Sequence, residues 1–303
     1  MEQEKSQKSL ITPMDKKPIG IVVDNGADLP QEFIEKNQIE QVFHQLYFPG
    51  EQPEAAYQLE REKLYQKMRE MKENKIFPRT SFAPVGAFRQ VYQRALEKFE
   101  NVLAIILTSQ HSGAFNAANQ AKNLISSPEK VEIFDSLLVS VPQGILTMKA
   151  QEMINQGGDN NKKLAEIVEA LKNFREKIKM LAFLNDFSWA TSGGRLSEKI
   201  VKIIEIFQKR GIKLALTMKK GRVGMAGIKF SAKDRIEAIL QEIKKQREKL
   251  KVAISHSGVL EEAERLKSEL EKIGHEVLFI TEITTVLVAH SGPGAIIVSY
   301  YSE

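Results

Sequence analysis

The segment from Val102 to Ile125 constrains the fold more than any other stretch of the chain. It opens on an unbroken apolar run, Val102 to Leu107, then turns polar through Thr108, Ser109, Gln110, His111, Ser112 and Gly113. An alanine-rich helical pattern follows at once, with Phe115, Ala118 and Ile125 among its apolar positions. An apolar run this short reads as a strand buried on both faces. Strand, polar loop and helix start together leave backbone N–H groups and hydroxyls at the carboxyl end of a strand. The first N–H groups of a helix lack internal partners, and the helix dipole is positive there, so the place attracts an anion. Taken alone, Ser112 reads first as an N-cap.

The same alternation runs through the first half of the chain. Ile19 to Val23 is a first buried strand ending at Asp24-Asn25-Gly26-Ala27-Asp28, and Pro30 suits an early helical position. Val42 to Phe48 reads as one strand turned by Pro49-Gly50, and Leu64, Tyr65, Met68 and Met71 share a helical face. A loop from Pro78 to Pro84 precedes a helix with Phe88, Val91, Tyr92, Ala95, Leu96 and Phe99 at helical spacing. A strand from Val131 to Phe134 and a helix from Pro142 to Gly157-Gly158 complete the half. This order predicts an α/β domain, a parallel sheet covered by helices on both faces. Beyond Gly157 the pattern changes. A helix carries Leu164, Ile167, Val168, Leu171 and Phe174, and a strand runs from Lys179 to Leu184. Lys219-Lys220-Gly221-Arg222 marks a hairpin, and Ser231 with Asp234 makes a capping box. Strand (Val252 to Ser255), helix (Leu260 to Ile273), strand (Val277 to Thr281) and a last strand (Ala295 to Tyr300) follow. The expectation is a disordered tail over 1–17, a parallel-sheet α/β domain over 18–158, and a mixed-sheet α/β (α+β) domain over 159–303.

Composition removes whole classes of function. The chain has 303 residues and no cysteine, which excludes disulfides, thiolate metal sites and cysteine nucleophiles. No apolar run approaches the roughly 20 residues needed to span a bilayer, and the N-terminus has no signal-peptide core, so a cytoplasmic address is the default. The net charge is +5. Its basic runs, such as Lys244 to Lys249, are broken by acids or lie at turns and carry no interleaved aromatics, which argues against nucleic acid. Transient contact with an anionic membrane surface stays open.

Four loops mix a hydroxyl, a charge or an imidazole with glycine: Thr80-Ser81, His111-Ser112-Gly113, Gly193-Gly194-Arg195 and His290-Ser291-Gly292-Pro293-Gly294. Together they suit an anion pocket of hydroxyls, a cation and backbone N–H groups. A serine-dependent lipid hydrolase or acyltransferase, with Ser112 as nucleophile and His290 or His111 as base, is the competing reading. Against it, no G-x-S-x-G elbow surrounds Ser112. The five histidines fall in no ligand spacing, so no metal is expected, and there is no Walker loop. A donor-rich site without a nucleophile–base pair points to binding.

The motifs, in order, resemble those of the DegV family of bacterial lipid-binding proteins, from about residue 19 to the C-terminus. Asp24-Asn25-Gly26-Ala27-Asp28-Leu29-Pro30 resembles the family's D-S-x-A-D-L-P, and Thr80-Ser81 its T-S-Q-P loop. His111-Ser112-Gly113-Ala114-Phe115 resembles L-S-G-T-Y, Gly193 to Ser197 resembles G-G-R-I-S, and His290 to Ala295 resembles H-T-G-P-G-A. The resemblance implies two α/β domains with a long-chain fatty acid in a tunnel between them. It implies that Thr80, Ser81, Ser112, the Gly113 N–H and His290 hold the carboxylate. Arg195, His111, Gly292 and Gly294 would lie near the mouth, facing the anion or a partner, and Phe82, Phe115 and Ile283 are candidate tunnel residues. It further implies a carrier without cofactor or catalytic residue, which presents the fatty acid to a separate fatty acid kinase and carries the acyl phosphate. Asn25, Phe82-Ala83 and His111 depart from the family pattern, and the last two flank the head-group site.

Overall fold

A computed structural model describes residues 16–49, 60–157, 160–194, 196, 200, 202–204, 206, 214–226 and 232–303, without the side chains of 160–162. In chain order the first half holds β1 (Lys17–Asp24), α1 (Gln31–Lys36), β2 (Glu40–Val42), β3 (Gln45–Tyr47), α2 (Arg61–Glu73), β4 (Arg79–Ser81), α3 (Val85–Lys98), β5 (Phe99–Ile106), α4 (Ala114–Lys122), β6 (Val131–Asp135) and α5 (Val141–Asn155). The second holds α6 (Asn160–Lys177), β7 (Lys179–Phe183), α7 (Ser188–Ser192), β8 (Leu216–Lys219), β9 (Arg222–Met225), α8 (Arg235–Ile243), β10 (Leu250–His256), α9 (Leu260–Lys272), β11 (Glu276–Glu282), α10 (Thr285–Ser291) and β12 (Ile296–Ser302).

The first sheet has the order β2-β1-β5-β6 and is parallel throughout. The second has the order β11-β10-β12-β7-β8-β9 and is mixed: β10 and β11 are parallel, while β12 runs antiparallel to both β10 and β7. Both sheets match the expected α/β architecture. The side-chain period of two divides each strand between two cores. Ile21, Val23, Leu103 and Ile105 face one way, and Val22, Val102, Ala104 and Ile106 the other, toward Phe88, Tyr92 and Ala118 of α3 and α4. In β7, Leu181 and Phe183 face the core under α8 and α9, while Met180 and Ala182 join Ile21 and Leu103 in the core between the sheets. Helices α5 and α6 fill that space through Ile145, Leu146, Leu171 and Phe174.

Two local expectations are corrected. Val42 to Phe48 is not one strand. β2 pairs parallel with β1, β3 pairs antiparallel with β4, and the joint between them is taken by the Asn25 side chain, whose Oδ1 accepts the His44 N–H (2.8 Å). Helix α8 is capped by Asp234, which accepts the Glu237 N–H (2.9 Å), while the Glu237 carboxylate accepts the Lys233 N–H (2.8 Å). The box therefore lies three residues further along than Ser231 suggested, and Ser231 is outside the described residues.

Candidate functional site

The polar loops converge on one cavity between the two halves. Its volume is about 140 Å³, and it opens to solvent at a mouth. Thr80 and Ser81 reach it from β4, Phe82 from the turn beyond, Thr108, His111 and Ser112 from the loop after β5, and His290 from the end of α10. Apolar lining comes from Met180, Ala182, Leu216 and Ile297 of the second sheet, Leu184 just after β7, and Val286 and Leu287 of α10. No Lys, Arg, Asp or Glu lines the cavity among the described residues.

At the polar end, Thr80 Oγ1 and His290 Nε2 lie 2.8 Å apart. β4 sets Thr80 by register, since Leu46 pairs with Thr80 and Gln45 with Ser81. Gly193 backs onto the imidazole: a Cβ there would stand 2.3 Å from His290 Nδ1, so only glycine lets the ring lie where it does. Ser112 Oγ accepts the Ala114 N–H (3.1 Å) at the start of α4. His111 Nε2 accepts the Val223 N–H (2.9 Å), and His44 Nδ1 accepts the Ala83 N–H (3.0 Å). Among the described residues no hydrogen bond joins Ser112 to an imidazole. No group of His, Cys, Asp and Glu among the described residues has the geometry to hold a metal ion. No described helix is long and apolar enough to cross a membrane.

Against known proteins, the model of the family described as "Uncharacterised protein, DegV family" matches residues 18–303. The chain belongs to the DegV family. Protein DegV of Bacillus subtilis strain 168 is 26% identical over 284 residues, 92% of this chain and 97% of that protein. A DegV family protein from Thermus thermophilus, described for its fatty acid binding, aligns with a TM-score of 0.80 at 25% identity over 94% of this chain and 99% of its own. A DegV lipid-binding protein from Thermotoga maritima gives 0.76 at 25% identity, over 93% and 98%.

The DegV motifs divide between site and scaffold. The opening motif builds the scaffold: Asp24 Oδ2 accepts the Leu107 N–H and Oδ1 the Gly26 N–H (both 2.8 Å), tying the end of β1 to the end of β5. Asp28 Oδ1 accepts the Thr284 N–H (2.8 Å), and its other oxygen accepts the Ser140 hydroxyl. Gly292 and Gly294, both at positive φ, shape the turn before β12, and neither lines the cavity. Gly113 lies beneath the half-exposed Phe82 ring, and a Cβ there would stand 2.6 Å from it. Two candidate tunnel residues are elsewhere. Phe115 packs in the core between the first sheet and helices α3 and α4, because α4 turns it away from the cavity, and Ile283 is fully buried in the core between the sheets. Arg195 lies outside the described residues.

Sequence reasoning missed His44 and the apolar wall. His44 was hidden inside what read as a continuous strand. In β7 and Leu184 the cavity-facing residues alternate with equally apolar core residues, so no periodicity marks them.

Proposed function

We propose that this protein binds a long-chain fatty acid in the cavity, carboxylate toward Thr80, Ser81, Ser112 and His290, and tail along Ala182, Met180, Leu216 and Ile297. The observation that carries the reading is the division of one cavity into a hydroxyl- and imidazole-lined end and an apolar wall. Fatty acid binding by the Thermus thermophilus relative supports it. Each buried methylene is worth about 0.8 kcal/mol, so a tail of ~16 carbons gains on the order of 10 kcal/mol before ordering costs. Tail burial supplies the affinity, and the polar end sets direction by offsetting the desolvation of the carboxylate. We read the protein as a carrier, in keeping with the fatty acid binding described for its relatives. Presentation of the carboxylate to a separate kinase, carriage of the acyl phosphate, and transient contact with an anionic membrane complete the proposal. A buried acyl phosphate would be shielded from water.

Native mass spectrometry of the purified protein, followed by solvent extraction, tests this. A stoichiometric fatty acid is expected. Ser112→Ala and His290→Ala are each expected to weaken retention by about tenfold, the worth of one to two hydrogen bonds to a charged group, with the fold retained by circular dichroism. Unaltered lipid content in both variants would refute the head-group assignment. Labelling of Ser112 by a fluorophosphonate would favour the hydrolase.

A further inference from the structure

The hairpin of β8 and β9 belongs to the second sheet but is fastened to the first half of the chain. Its strands pair with each other from Leu216↔Met225 to Lys219↔Arg222, the pair Ala182↔Leu216 joins it to β7, and among the described strands β9 is the outer one. Its tip crosses to the loop after β5. Thr108 Oγ1 donates to the Gly221 carbonyl (2.8 Å), Arg222 Nε donates to Gln110 Oε1 (3.2 Å), and the Val223 N–H donates to His111 Nε2 (2.9 Å). Gly221, at φ +79°, leaves no slack: a Cβ there would lie 2.7 Å from Thr108 Oγ1 and 3.0 Å from Leu137 Cδ2. The same hairpin contributes Leu216 and Val223 to the cavity, beside Thr108 and His111. It is therefore both a wall of the cavity and a bridge across it.

We infer that this hairpin is a strap over the ligand cavity, latched by Thr108 and His111, and that the ligand enters and leaves when the latch opens. The inference rests on the fatty acid reading of the cavity. Leu214, Ala215 and Leu216 bury the base of the hairpin in the cores on either side of the sheet, whereas the exposed tip has no core packing of its own, so the hydrogen bonds at the tip decide whether it lies down. The latch is adjacent in sequence to Ser112, so opening it uncovers the polar end of the ligand first. His111 suits the task because a neutral imidazole offers an acceptor nitrogen to the Val223 N–H.

The test compares wild type, Gly221→Ala, whose Cβ would stand 2.7 Å from Thr108 Oγ1 and push the tip off the loop, and Gly224→Ala on the same hairpin, whose Cβ meets nothing within 4 Å. Neither residue lines the cavity. The probe is cis-parinaric acid, displaced by excess palmitic acid in stopped flow. Loss of the latch in Gly221→Ala should raise both the association and the dissociation rate by about tenfold, leaving Kd within about threefold, and Gly224→Ala should stay near wild type. A dissociation rate that rises alone, with Kd weakening in step, would make the tip an affinity contact and overturn the strap, as would unchanged rates. A second readout needs no ligand. Trypsin cleavage after the exposed Lys219, Lys220 or Arg222 should accelerate in Gly221→Ala and not in Gly224→Ala. Unchanged cleavage overturns the strap whatever the ligand is. If wild type takes up no cis-parinaric acid, the ligand reading fails instead, and accelerated cleavage still supports the strap.

Discussion

Asp28 shows how much one side chain of the opening motif does. It is fully buried, accepts the Thr284 N–H and the Ser140 hydroxyl, and Ser140 in turn meets Ser255 Oγ at 3.1 Å. These bonds join residues of both halves. Burial pushes the Asp28 carboxyl up, against the hydrogen bonds from Ser140, Thr284 and Ser255 that pull it down. Asp28→Ala leaves the Thr284 N–H and the Ser140 hydroxyl without their acceptor, and should cost about 3 kcal/mol, read from urea unfolding. His256 gives the pH dependence. It is buried, and burial holds its imidazole below the usual histidine range, with Glu282 opposing and Arg61 reinforcing. The unfolded chain therefore takes up this proton at a higher pH than the native protein does. Stability from this group is present above about pH 6.5 and falls as the pH drops below it. Unfolding midpoints measured across that window should decline toward acid in wild type and flatten in His256→Gln.

At the level of elements, α2 and the β3–β4 pair hold the site together from outside it. Arg61 Nε pairs with Glu282 Oε2 at 3.0 Å, Tyr65 donates to Glu282 Oε1 at 3.2 Å, and Lys72 pairs with Asp186, so both ends of α2 rest on the second half. Only the apolar face of α2 was legible in the sequence, because these ion pairs join residues hundreds of positions apart or on unrelated loops. The β3–β4 pair places Thr80 against His290, and the turn after α7 gives the imidazole its room. Gly193→Ala should displace the ring and break the Thr80 contact, lowering fatty acid retention about tenfold with little change in melting temperature. Extraction and thermal unfolding of the same preparation check both parts.

For the whole molecule, the interleaved core between the two sheets is the fact that makes a cavity available. Ala182 lies between Met180 and Leu184 on the cavity wall, and its small side chain leaves volume there. Ala182→Leu adds three carbons to that space and should abolish retention of a long-chain acid while leaving short-chain acids bound. Unchanged chain-length preference in extracted lipid would place the tail elsewhere. Most of the longer strands and helices, the parallel first sheet, the hairpin tip, and the motifs that carry Thr80, Ser112 and His290 were legible in the sequence, whereas the break between β2 and β3, strand β4 and helix α7 were not. The legible features follow from local rules: apolar periodicity, turn residues and motif order act over a few residues. Tertiary structure alone decided that His44 faces the cavity and Phe115 does not, that Asp24 and Asp28 build scaffold, and that His111 fastens a strap. Each of those depends on which distant strand end or loop a side chain meets, and strand register and sheet packing set that across 39 residues for His44 and Ala83 and 256 for Asp28 and Thr284.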